Sequence, residues 1–220
     1  VDYWEILKAA EAEADVILWD GGNNDTPFYE TELHIVLADP LRPGHEISYH
    51  PGETNIRLAN VVIIPKIGSA SREDIDLGRK KVNRHNSAAR NIEADSVVSI
   101  ENPEEIRGKR VLVVEDGPTL THGDMAYGAG FVAAQKFGAA EIVDPRPYAV
   151  GSIRGVFSKY SQLTQVLPSM GYVDNQVGER ERTINAVPCV AVLVGTPFDL
   201  GRLDKSQQPL IRERYELDES

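Results

Sequence analysis

Three early apolar runs in this chain do not alternate with polar residues: 16–20 (Val-Ile-Leu-Trp-Asp), 34–38 (His-Ile-Val-Leu-Ala) and 61–65 (Val-Val-Ile-Ile-Pro). A strand with one wet face alternates. Runs this short and this uniformly apolar are buried on both faces, as in parallel sheets covered by helices. Helical patterns interleave with them, at 3–13, where Ile6, Leu7 and Ala10 form the apolar face, and at 71–84, where Ser71 and Asp74 approximate a capping box. The series continues with strands at 96–100 and 110–116, a glycine-rich helix at 124–137 and a strand at 140–144. Helices at 152–159 and 162–170 and a strand at 189–195 follow. The last run, 209–217, mixes charged with apolar residues and reads as an edge strand. Residues 101–109 are the expected internal linker. This order predicts an α/β fold around a mostly parallel sheet.

Charge and composition narrow the function classes. The chain carries 34 acids against 23 bases, a net charge of −11, so no nucleic-acid surface is expected. Its apolar runs are too short for a membrane-spanning helix. The N-terminal residues lack a basic signal-peptide region, and the chain begins at Val1 rather than Met, which suggests a segment of a longer polypeptide. The one cysteine, Cys189, lies in an apolar run and reads as a small hydrophobe. A reducing compartment, the cytoplasm, is the expected location.

The chemistry-bearing residues cluster after the strands. Asp20-Gly21-Gly22-Asn23-Asn24-Asp25 follows the first run. An acid at a buried strand end suits a magnesium ion, and glycines let backbone N–H groups approach a phosphate. Plain turn chemistry explains the same residues. Arg42 and His45, in a proline-stiffened loop after the second run, are available to phosphate. Pro65-Lys66-Ile67-Gly68 resembles the guanine-selecting Asn-Lys-x-Asp loop but keeps only Lys66, so guanine selectivity is not expected. Glu115-Asp116-Gly117-Pro118-Thr119-Leu120-Thr121-His122 ends another strand, and strand geometry sends Glu115 and Asp116 to opposite faces. His122 reads either as an acid/base or as a surface turn residue. Arg146, between two prolines, is held for a phosphate or carboxylate contact, and Gly151-Ser152 completes the set.

Five segments, in order, resemble the cyclic 2,3-diphosphoglycerate synthetase family over essentially the whole chain: Trp19–Asp25, Arg42–Glu46, Pro51–Asn55, Val114–Gly123 and Val143–Ser152. The resemblance implies roughly the C-terminal half of a cytoplasmic enzyme. Such enzymes use ATP and Mg²⁺ to close 2,3-diphosphoglycerate into a cyclic phosphoanhydride. The implied fold is a three-layer, mostly parallel sheet of P-loop NTPase type over residues 1–102, with a second α/β domain or an extension of the same sheet over 103–220. No glycine-rich loop ending in Gly-Lys-Ser/Thr is present, so this segment alone is expected to be inactive. Arg42, His45, His122 and Arg146 become the candidate catalytic residues, and Asp20 the metal ligand. Gly21, Gly22, Asn23, Asn24, Lys66, Asp116, Gly117, Thr119 and Thr121 become the candidate nucleotide contacts. The expected partners are a phosphorylated small molecule and, as an allowed assembly, a second copy in a homodimer. The competing expectation is a nucleotide-binding regulatory or assembly protein with a degenerate nucleotide site.

Overall fold

The computed structural model describes residues 2–22, 25–121, 125–169, 174–196 and 206–219. The chain divides into two compact units, Val1–Ser96 with Leu217–Ser220, and Val97–Glu216.

The first unit opens with α1 (Tyr3–Glu13), capped by Asp2, whose carboxylate accepts the Trp4 and Glu5 N–H groups. The helix forms as expected, but it buries none of its residues. After it come β1 (Ile35–Leu37), α2 (His45–Ser48), α3 (Gly52–Leu58), β2 (Val61–Ile64), α4 (Arg72–His85) and β3 (Arg90–Ile100). The three strands are parallel, with Ile35 opposite Val61 and Val61 opposite Arg90. Ser71 caps α4 as predicted: its Oγ accepts the Asp74 N–H at 3.1 Å and donates to Asp74 Oδ2 at 2.7 Å. At the other end of α4, the Asn86 amide donates to the carbonyls of Ile56 and Ala59, both at 2.9 Å, and its oxygen accepts the Ala89 N–H at 3.1 Å. One side chain thereby ties the end of α3 to the turn into β3. The core of this unit joins Val36, Val62 and Ile64 of the sheet to Ile56, Ile75 and Val82 of α3 and α4.

Residues 16–20 are a correction. They form no strand, and Val16 and Leu18 are exposed. A strand exists only against a neighbour that takes its backbone hydrogen bonds, and no described strand pairs with this run.

The second unit continues with a 3₁₀ turn at Pro103–Glu105, β4 (Arg110–Asp116), α5 (Gly117–Thr121), α6 (Ala129–Lys136) and β5 (Glu141–Ile142). A second 3₁₀ turn at Arg146–Tyr148 leads to α7 (Gly151–Lys159), β6 (Leu167–Ser169), α8 (Asp174–Ala186), β7 (Ala191–Gly195) and β8 (Leu210–Glu219). β4 is the hub. It pairs in parallel with β5 at its start, with β6 at its end and with β7 along its length, and β7 pairs with β8. One face of this sheet, with Val111, Val113, Leu193 and Ile211, packs on Ala133 and Ala134 of α6. The other, with Leu112, Val114, Val192 and Val194, packs on Ile153 of α7 and Ile184 of α8. Helices on both faces make this unit three-layered, and the non-alternating strands are buried as their sequence requires.

Other expectations are corrected here. The segment 162–170 contains β6 rather than a helix, because Leu167 and Pro168 pair with Val114 and Glu115 at the buried end of β4. Helix α8, polar along most of its length, carried no apolar stripe strong enough to announce it. Residues 101–109 are not a linker, since Ile106 is fully buried in the core. β8 is not an edge, because in the strand order it lies between β7 and β3, whose last residues, 97–100, belong to this unit. The mixed fold is α/β with a mostly parallel sheet. Among the described residues, no helix is long and apolar enough to cross a membrane.

Candidate functional site

In the first unit the strand ends bring together two of the expected phosphate contacts. Asp39 follows β1, and Lys66 follows β2 on a left-handed backbone with φ of 60°. Lys66 Nζ donates to Asp39 Oδ2 at 2.9 Å, and Arg42 donates to the same oxygen from Nη2 at 3.0 Å and Nε at 3.2 Å. The Leu41 N–H donates to Asp39 Oδ1 at 3.0 Å. Burial works against the Asp39 anion, but the Lys66 hydrogen bond and charge, the Leu41 N–H and the Arg42 charge hold its carboxyl below the usual range. Asp39 thus holds both cations at the carboxyl ends of β1 and β2, the side on which open α/β sheets receive ligands.

The loop beside this group is tightly tied. His45 begins α2, with its ring edge-on to Tyr49 at 5.2 Å. Glu46 is buried, and its Oε2 accepts the Gly44 N–H at 2.7 Å. Gly44 is required there because its φ is 113°, in the left-handed region. Asn55 of α3 donates to the Asp25 carbonyl at 2.8 Å. Asp20, Gly21 and Gly22 lie on an exposed, irregular segment rather than at a strand end, and the Gly22 N–H donates to Asp25 Oδ2 at 3.1 Å. Asn23 and Asn24 fall outside the described residues. Among the described residues no group of three or more His, Cys, Asp or Glu is arranged to hold a metal ion.

In the second unit the centre of the site is a residue that alternation had separated from its neighbour. Glu115, on β4, is 2% exposed, whereas Asp116 is only partly buried. The Glu115 carboxylate sits at the N-terminus of α6, where its Oε1 accepts the N–H groups of Phe131 at 2.8 Å and Gly128 at 3.1 Å. It therefore satisfies the first free donors of that helix. Three glycines make room for it. A Cβ on Gly128 or Gly195 would lie 2.5 Å from Glu115 Oε2, and one on Gly130 would lie 3.3 Å from Oε1. The glycines around residue 128 are thus a carboxylate cradle as well as a packing surface.

A second acid faces the first. Glu115 is opposite Gly195 in the β4–β7 ladder, and Val194 is opposite Arg212 in the β7–β8 ladder. One residue further along both strands lie Gly195 and Glu213, so Glu115 and Glu213 flank Gly195 on one face. Glu213 is 8% exposed, and its Oε1 has no hydrogen-bond partner among the described residues. Burial pushes the Glu115 carboxyl up to about 7 against the opposing effect of the three α6 N–H groups, and the Glu213 charge raises it further. Burial alone pushes Glu213 up to about 7.

The remaining expected contacts are engaged locally. Arg146 forms a two-pronged ion pair with Asp144, Nε to Oδ1 at 2.9 Å and Nη2 to Oδ2 at 2.7 Å. That hydrogen bond holds the Asp144 carboxyl below its ordinary range. The start of α7 is occupied by Glu179 of α8, whose Oε2 accepts the Ser152 N–H at 2.8 Å and the Ser152 hydroxyl. Gly117 and Thr121 belong to α5, where the Thr121 hydroxyl donates back to the Gly117 carbonyl at 2.9 Å. His122 and the Thr119 side chain lie outside the described residues. Cys189 is partly buried, and burial pushes its thiol up, which fits an inert hydrophobe.

Sequence reasoning missed Asp39, Glu179, Gly195 and Glu213. Asp39 had a signal, because it directly follows an apolar run. Glu213 had none: it stands in Arg212-Glu213-Arg214, which reads as a solvated face.

No family model matches the chain. It is 59% identical over 219 residues to the arginine synthetase ArcE of Thermococcus kodakarensis, a match covering 100% of this chain and 49% of that protein. The chain thus spans about half the length of the curated relative it matches.

Proposed function

We propose that this chain is about half of an ATP-dependent ligase that forms arginine. The observation that carries the reading is the 59% identity to an arginine synthetase, sustained over 219 residues. The strand-end chemistry of the second unit supports it. Glu115 and Glu213 are buried acids with no ion-pair partner among the described residues. Buried acids without a cation repel a polyanion, so no phosphate would rest beside them. The helix starts that would attract phosphate, those of α6 and α7, already carry Glu115 and Glu179.

ATP and Mg²⁺ are the expected energy source and its counter-ion. The described residues do not fit them as a set. Asp20 is exposed and, among the described residues, belongs to no group of three or more His, Cys, Asp or Glu able to hold a metal ion, and the phosphate loop is absent from the sequence. Arg42 and Lys66, both fixed by Asp39, are the cations that a phosphate of the reaction would meet. Binding of the nucleotide as a whole is assigned to the part of the ligase that lies beyond the length matched here.

The test uses the natural full-length protein that carries this chain. It is incubated with ATP, Mg²⁺, ammonium and an amino acid with a ureido side chain, whose oxygen a nitrogen donor would replace to make a guanidinium. Arginine is measured by amino-acid analysis. ATP-dependent arginine supports the reading, and its absence with active nucleotide turnover on another substrate sinks it. A second reading, closure of 2,3-diphosphoglycerate into its cyclic phosphoanhydride, is favoured by the five family-like segments and by the Arg42–Lys66 pair. A parallel reaction with that substrate, followed by ³¹P NMR, separates the two. Nucleotide binding without any turnover would favour a regulatory protein with a degenerate site.

A further inference from the structure

A parallel sheet built from β-α-β crossovers needs cover on both faces. Among the described residues, the sheet of the first unit has it on one. Val36, Val62 and Ile64 point to α3 and α4 and are buried at 6%, 0% and 0% exposure. The residues between them point the other way. Ile35 pairs with Val61, and Leu37 pairs with Ile63, which in turn pairs with Ile92, so all five share the second face. Ile35 and Leu37 are 52% and 53% exposed, and Val61, Ile63 and Ile92 are only partly buried. Five adjoining aliphatic side chains on one sheet face are not scattered surface hydrophobes.

Two further features belong to the same defect. β1 pairs only with β2, so its outer backbone edge is open among the described residues. Val16-Ile17-Leu18-Trp19 has the composition of a buried strand, yet it pairs with no strand among the described residues and leaves Leu18 88% exposed. An exposed apolar edge is one that natural proteins manage, and covering it is one of the ways they do so.

The relative supplies the identity of the cover. This chain accounts for 49% of its length, so a comparable amount of protein stands outside the match. We propose that the uncovered face of the β1–β2–β3 sheet is the docking surface for the other half of the ligase. That half lays apolar helix or sheet across Ile35, Leu37 and Ile63 and gives 16–19 its missing strand neighbour. A second copy of the present chain is a poorer occupant. A two-fold axis would set like edges antiparallel, whereas the described pairings of this unit are parallel. The inference rests on the relative's length and on this face, and not on the reaction proposed above.

The test places the photo-crosslinking residue p-benzoylphenylalanine at position 37 of the natural full-length protein, with the same probe at Tyr215, 66% exposed, as a solvent-facing control. Cross-linked peptides are mapped by mass spectrometry. The expected product joins position 37 to a peptide outside these 220 residues, with a yield at least ten-fold above the position 215 control. Cross-links to a second copy of the present chain, to its own residues 1–220, or a yield no higher than the control would each overturn the proposal. An active ligase that fails this test loses only the docking surface, and an inactive one that passes loses only the reaction.

Discussion

Replacing Glu115 by Gln removes a charge while keeping a shape. The Glu115 Oε1 accepts the Phe131 and Gly128 N–H groups at 2.8 and 3.1 Å, and an amide oxygen accepts both in the same way. What disappears is the titration. Burial raises this carboxyl from 4.5 to about 7. Between those values the native protein keeps a proton that the unfolded chain has released, so stability falls as pH climbs through the window. At roughly 1.4 kcal/mol per pH unit, the wild-type protein loses about 3 kcal/mol by pH 8. Glu115→Gln carries no such loss. The variant is expected to match the wild type near pH 4.5 and to exceed it by about 3 kcal/mol at pH 8. Urea unfolding of both proteins from pH 4.5 to 8, followed through NMR intensities of β4 and β7 amides, measures the difference in the right unit. A difference that stays constant with pH would refute the argument. So would a variant that is weakest at pH 8, since that means the α6 N–H groups stabilise the anion more than burial penalises it.

Two smaller perturbations probe local packing. Gly195→Ala sets a Cβ 2.5 Å from Glu115 Oε2 and 2.8 Å from the Gly130 backbone nitrogen, so backbone must move. A loss of about 1–3 kcal/mol is expected in thermal or urea unfolding, whereas Gly155→Ala on α7, with nothing within 4 Å of the new Cβ, should be neutral or slightly stabilising. Ser71→Ala deletes the acceptor of the Asp74 N–H at 3.1 Å. It should cost about 1 kcal/mol, seen as faster amide exchange in the first turn of α4 with little change in the second unit.

Much of the architecture was legible in the chain because it follows from local rules. The capping of α4 by Ser71 needs only residues three apart, and the buried strands β4 and β7 announce themselves by lacking alternation. The separation of Glu115 from Asp116 onto opposite faces is a property of any strand. Residues 16–19 mark the limit of such rules. Their composition is that of a strand, but a strand is a relation between two segments, and the described residues contain no partner for it. The same limit hid the acid pair. Glu213 lies 98 positions from Glu115 and stands among charged neighbours. Only the stacking of β8 on β7, and of β7 on β4, brings it level with Gly195 and out of water. Burial, and with it the raised carboxyl, is set by which strands become neighbours, a long-range choice that no window along the chain contains. The non-alternating runs thus dictated a parallel α/β sheet, and the strand order alone chose which acids that sheet would bury.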